Sequence, residues 1–128
     1  MDVSALTCEE VNRELARRRG DFRKTWNFEE LPEGKFQDAA DGWYYWWPDY
    51  CHDWRWAGVL FIELLHLAHC VYVHSPPLEE QTAFVGVGVS PAATHELWCF
   101  VGIDVAELPE YIARARLQMY EDGEDERA

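Results

Sequence analysis

Three groups of side chains in this chain have the types and spacing to do chemistry. The first is a histidine and cysteine set. It comprises Glu63-x-x-His66 with His69 three residues on, and Cys51-His52, Cys70, His74, His95 and Cys99 around it in sequence. A di-iron carboxylate centre needs the E-x-x-H unit twice plus two further carboxylates on helices, and one copy is present. Structural zinc is usually held by closely paired cysteines, whereas Cys8, Cys51, Cys70 and Cys99 stand far apart. His95 and Cys99 share one face of an extended segment, but four residues of strand separate them too widely for a direct bond, and Glu96 points the other way. The chain has no G-x-S-x-G, no glycine-rich phosphate loop and no H-E-x-x-H. These residues fit a helix with a polar seam satisfied by Arg55 and backbone groups, with cysteines as small core residues. The expectation is a non-catalytic protein with no cofactor and no bound metal; a metal-binding protein is the alternative from a different class.

The second group is aromatic. Seven tryptophans, six tyrosines and six phenylalanines make 15% of 128 residues, and Trp43-Tyr44-Tyr45-Trp46-Trp47 is followed closely by Tyr50, Trp54 and Trp56. Trp54 and Trp56 fall in a helical stretch and are expected in the core. A strand with one buried face hides about half of 43–47, leaving Trp43, Tyr45 and Trp47 at a surface beside Asp38, Asp41 and Asp49. Large amphipathic rings rimmed by carboxylates have the composition of a binding patch.

The third group is the acids. Twenty-four acidic residues against eleven basic ones leave a net charge of −13. Residues 1–35 carry seven of the bases and are nearly neutral; residues 36–128 carry four bases and sixteen acids. That balance excludes gripping nucleic acid through a broad basic surface and disfavours docking on anionic lipid. Concentrated on one face, carboxylates attract the positive groove of a nucleic-acid-handling protein and speed association. Candidate contributors with the aromatics are Asp38, Asp41, Asp49, Glu79, Glu80, Glu107 and Glu110.

The elements that must position these groups are readable in part. Thr7 and Glu10 form a T-x-x-E capping box, with Leu6 and Val11 placed as a hydrophobic staple, Cys8, Val11 and Leu15 as a narrow stripe, and Gly20 as the stop. This surface helix spans residues up to 20. Phe22, Trp26 and Phe28 alternate as in a strand, and Asp41-Gly42 signals a turn before 43–47. Asp53 caps a second helix, Trp54 to Ala68. It is apolar almost all round, and His52, Arg55, Glu63, His66 and Cys70 fall within about 80° of one another at helical spacing. The pattern predicts a buried central helix. Three strands follow at Cys70–Ser75, Thr82–Val89 and Glu96–Ile103, separated by proline turns, as an antiparallel meander. Gly86 and Gly88 leave one face of the middle strand bare, for a ring or the central helix. A last helix covers about Val105–Tyr120, with Asp104 as its cap and Pro109 in its first turns. Residues 121–128 are an acidic tail. The fold class is α+β: one domain over 1–120, a mostly antiparallel sheet of four to five strands and three helices.

Two segments resemble phage-encoded ABA-sandwich domain proteins. Pro48-Asp49-Tyr50-Cys51-His52-Asp53 is similar to their P-x-Y-S-x-D helix start, with Cys51 where a small hydroxyl residue is usual. Pro109 with Ile112-Ala113-Arg114-Ala115 is similar to the P-x-x-I-x-R-A segment that ends them. The match spans about 43–120 and implies phage or prophage origin more than any chemistry. Together with the charge it sets the expected function. The chain is a small acidic protein that binds and inhibits a basic host protein or ribonucleoprotein complex, in the style of an anti-CRISPR or anti-restriction inhibitor blocking a nucleic-acid groove. An immunity protein neutralising a cognate toxin would use the same physics. With no readable signal peptide and scattered cysteines, the expected setting is the cytoplasm of a bacterial host cell, without direct nucleic-acid or membrane contact and with oligomeric state open.

Overall fold

The computed structural model describes residues 2–26, 36–37, 42–74, 85–90, 98–102 and 105–122. A short 3-10 turn, Val3–Ala5, leads into helix α1, Cys8–Arg19. The capping box forms in full: the Glu10 amide donates to Thr7 Oγ1 at 3.2 Å, and the Thr7 amide donates to the Glu10 carboxylate at 3.0 Å. Gly20 ends the helix at φ +78°, where a β-carbon would be strained. Val11, Leu15 and Ala16 are buried, and the opposite face lies in solvent.

Strands β1 (Arg23–Thr25), β2 (Phe36–Gln37) and β3 (Tyr44–Trp46) form an antiparallel sheet with β3 in the middle. Helix α2, Trp54–Leu67, starts at Asp53, whose side chain accepts from the Arg55 amide. Strands β4 (Cys70–His74), β5 (Val85–Ser90) and β6 (Trp98–Gly102) are the expected meander, with Val73, Val87 and Phe100 in register across it. Helix α3, Leu108–Glu121, follows a 3-10 turn at Val105–Glu107 and has Pro109 in its first turn. The class is α+β with three helices, and every described strand pair is antiparallel. The strands divide into two three-stranded sheets where a single sheet of four to five was expected.

The centre of the molecule is α3, contrary to expectation. It packs against α1, α2, β5, β6 and the N-terminal 3-10 turn. Tyr111, Ile112, Ala113, Ala115, Leu117 and Met119 are all buried, together with Val87, Val89 and Phe100 of the meander. The alanines let three neighbours approach on different sides, which explains why its apolar residues form no single stripe. Helix α2 is one-sided: Ala57, Leu60 and Leu64 face α3, while Trp54, Val59, Ile62 and Leu65 are 41–57% exposed. The acid of its polar seam is met by arginines of α1 and α3, where Arg55 was expected. Arg19 and Arg116 both donate to Glu63, the second at 2.9 Å, and Arg19 also donates to Asp21 at 3.2 Å. Tyr50, fully buried, donates to the same Asp21 at 2.5 Å.

Glycine in the meander serves a different end from the one expected. A β-carbon at Gly86 would meet the Phe100 carbonyl and Val101 of the adjoining strand, so close strand approach sets that position. The aromatic ring against a glycine is at Gly102, where Tyr111 occupies the space a β-carbon would need. Two carbonyls of the N-terminal turn region, Val3 and Leu6, each accept from Arg114 Nη1 at 2.8 Å, tying the start of the fold to α3. Asp104, residues 75–84 and the tail beyond Asp122 lie outside the described residues.

Candidate binding cleft

A cleft of about 1040 Å³ opens between the start of α1, the 47–53 segment and the first turns of α2. Its walls hold Trp46, Trp47, Trp54 and Trp56 together with Glu9, Asp49 and Asp53. The 47–53 segment is held open by alternating anchors. Tyr50 and Cys51 point inward and are fully buried. The Cys51 amide donates to Asn12 Oδ1 at 3.0 Å, and Asn12 Nδ2 donates to Asp49 Oδ1 at 2.9 Å. Buried Asn12 therefore fixes both the backbone and the carboxylate that faces out.

Asp49 and His52 project to the opening, their side chains 52% and 63% exposed. The His52 Nδ1 sits 3.0 and 3.1 Å from the two Asp49 oxygens, an arrangement that favours the proton on Nδ1 and leaves Nε2 outward. Asp53 takes the Arg55 guanidinium at 2.8 Å; that bond first, aided by the Arg55 amide and charge, holds its carboxyl below the usual range. Trp56 is a structural wall, edge-on to Trp46 at 6.0 Å and to Tyr50 at 5.9 Å. Trp54 is not in the core as expected: it is 53% exposed at the mouth.

The thiol on this wall, Cys8, donates to Glu110 Oε1 at 3.1 Å. Burial first, then that carboxylate, pushes its pKa up, and the deeper Cys51 is pushed up by burial more strongly. Both thiols are thereby held neutral, the opposite of what nucleophilic attack requires. Burial tends to raise the Glu110 pKa, but bonds from Cys8 and Arg114, with their charge, outweigh it and keep the carboxyl ionised. Glu110 lies beside the cleft through its bond from Cys8, a residue of the cleft wall.

The expected site residues separate into three places. Trp47, Asp49 and Glu110 come together at or beside the cleft. Trp43, just before β3, and Tyr45 within it both lie under a cation. Lys24 Nζ is 4.7 Å from the Trp43 ring centre and 5.6 Å from that of Tyr45. Arg13 covers Trp47 and Arg17 covers Phe22 in the same way, so the basic segment of the chain caps its own aromatic face. Glu107 is exposed at the start of α3 and accepts from Tyr111 at 2.5 Å. Asp38, Asp41, Glu79, Glu80 and His95 lie outside the described residues. Sequence reasoning missed Glu9 and Asn12, which α1 brings to the cleft from about forty residues away, and no local pattern signals that approach.

Glu63 is committed to Arg19 and Arg116, and His66 faces solvent, so the E-x-x-H unit is divided between two environments. Among the described residues no three His, Cys, Asp or Glu side chains are grouped to hold a metal, and no helix is long and apolar enough to cross a membrane. No family model, no curated protein and no solved structure matches the chain.

Proposed function

We propose that this protein is a small acidic binding protein, non-catalytic and of phage type, that occupies and inhibits a basic nucleic-acid-handling complex of its host. The observation that supports this reading is the cleft, where exposed tryptophan and three carboxylates meet in a chain of net charge −13. A guanidinium or ammonium group of a partner finds both of its preferred contacts there. It can lie over the Trp54 ring, a contact of about 0.5–2 kcal/mol, while its N–H groups reach Glu9, Asp49 or Asp53. The surrounding negative field raises the association rate, and the occupied groove is closed to its nucleic acid by charge and by bulk. The ABA-sandwich likeness, carried by Pro48–Asp53 and Pro109–Ala115, agrees with a phage origin.

The test is capture of host lysate proteins on immobilised wild-type chain and on Trp54→Ala and Asp49→Asn chains. The reading expects basic proteins that are released by salt, displaced by duplex DNA, and weakly held by both variants. Capture that ignores salt and DNA, or that both variants keep in full, overturns it.

A further inference from the structure

Four cysteines stand far apart in the sequence, and the fold brings two of them together. Cys8, the first residue of α1, is half-buried on the cleft wall, and Cys51 lies fully buried behind it in the 47–53 segment. The Cys51 thiol donates to the Cys8 backbone carbonyl at 3.7 Å across a separation of 43 residues. The two thiols are also hydrogen-bond partners of each other. Cys70 and Cys99, by contrast, belong to β4 and β6, with β5 between them. On its other side Cys8 meets Glu110, which accepts its S–H at 3.1 Å while Arg114 holds the same carboxylate at 3.0 Å. An anion against a thiol opposes the thiolate, the form that attacks disulfides. The partner reading uses neither thiol.

We propose that Cys8 and Cys51 are a redox pair: a small-molecule disulfide entering by the cleft joins them to each other, and Glu110 restrains the step. The chemistry is thiol–disulfide exchange. The Cys8 thiol gives its proton to water, and its thiolate attacks one sulfur of the small disulfide. A bond forms to Cys8 Sγ, the S–S bond of the small molecule breaks, and the leaving thiolate takes up a proton. Cys51 then gives up its proton and attacks Cys8 Sγ, and the second small thiol departs and is protonated. The two protein thiols lose two electrons in all, and one small disulfide is reduced to two thiols. Cys8 is the point of entry because the cleft reaches it; Cys51 completes the exchange because it already lies against Cys8. The new bond closes the chain from 8 to 51 into a loop holding β1, β2 and β3. It also ties the start of α1 to the segment that presents Asp49 and His52, fixing two walls of the cleft to each other.

The probe is oxidised glutathione, added to the whole folded protein at about pH 8. The product is read by peptide mapping, free-thiol count and thermal melting. The expected product has Cys8 linked to Cys51, two free thiols fewer and a melting temperature several degrees higher, because the unfolded chain is constrained. Dithiothreitol returns it to the starting form. Cys51→Ser is expected to stop with glutathione attached to Cys8. Glu110→Gln is expected to link the pair several-fold faster, while reaction at the exposed Cys99 keeps its rate. Glutathione on Cys99 alone, with Cys8 and Cys51 left as thiols, overturns the pair, as does a wild-type chain that stops with glutathione on Cys8. A Glu110→Gln chain that reacts no faster overturns the restraint by Glu110. The assay needs no partner, so its failure leaves the reading of the cleft standing, and failure of the lysate capture leaves the pair standing.

Discussion

Helices α2 and α3 have the same length and pack against each other, yet they bury opposite amounts of themselves. The more apolar helix, α2, exposes three of its largest side chains, and the more polar one, α3, is buried on nearly every side. The difference teaches that neighbours decide burial more than composition does. Helix α3 carries alanine at 113 and 115 and partners for several of its polar side chains. Arg116 reaches Glu63, Arg114 reaches Glu110 and the Val3 and Leu6 carbonyls, and Tyr111 reaches Glu107. Helix α2 has bulky residues all round and one flank of neighbours.

The comparison breaks most visibly at the α3 core. Leu117→Ala deletes a fully buried side chain and should lower stability by about 3–4 kcal/mol in urea unfolding. The link between the two helices comes next. Glu63→Gln removes the anion shared by Arg19 and Arg116, and leaving two guanidinium groups without it should cost about 3 kcal/mol by the same measurement. A stability loss below a quarter of that would show the network to be ornamental.

Alkali tests the buried acids around that link. Tyr50 and Cys51 have folded pKa values raised above their ordinary values near 10 and 9, chiefly by burial. Their stabilisation is complete below those ordinary values and is lost as pH climbs beyond them. Each group then contributes a slope of about 1.4 kcal/mol per pH unit while only the unfolded chain is ionised. Thermal melts from pH 8 to 11 should show the decline, and Tyr50→Phe should make it shallower. On the acid side, Glu110 and Asp53 are lowered, so their contribution is present above pH 4.5 and fades as pH falls through their folded values. Smaller again is Asp53→Ala, which removes the α2 cap for about 1 kcal/mol. The smallest effect sharpens the contrast: Leu65→Ala, measured on dilute protein, should change stability by less than about 0.5 kcal/mol, although leucine is replaced on both helices.

What could be read in the sequence was local. Thr7, Glu10, Gly20 and Asp53 each mark a helix end through bonds within four residues, and each acts as expected. The meander was legible because β-branched runs and prolines mark it without reference to distant chain. The cleft was legible by half: Trp47 and Asp49 were singled out, while Glu9 and Asn12 arrive from α1 through long-range packing. The exposure of Trp54 and the capping of Trp43 and Tyr45 by Lys24 depend on which element lies beside which, and periodicity carries no such information. Asp38, Asp41, Glu79 and Glu80 belong to the acidic body by charge, and their places lie outside the described residues.

The central position of α3 has a consequence for the order in which the fold is made. Several elements pack on residues 108–121: α1 and α2 on two flanks, β5 and β6 of the meander on another, and the N-terminal turn through Arg114. The bonds from Arg114 to the Val3 and Leu6 carbonyls join residues more than one hundred positions apart, among the more costly loops to close. A chain grown to residue 100 therefore carries α1 and α2 without the helix on which both pack. Synthesis of α3 supplies the buried face that these elements share, and apolar surface left open before that point is the kind that aggregates.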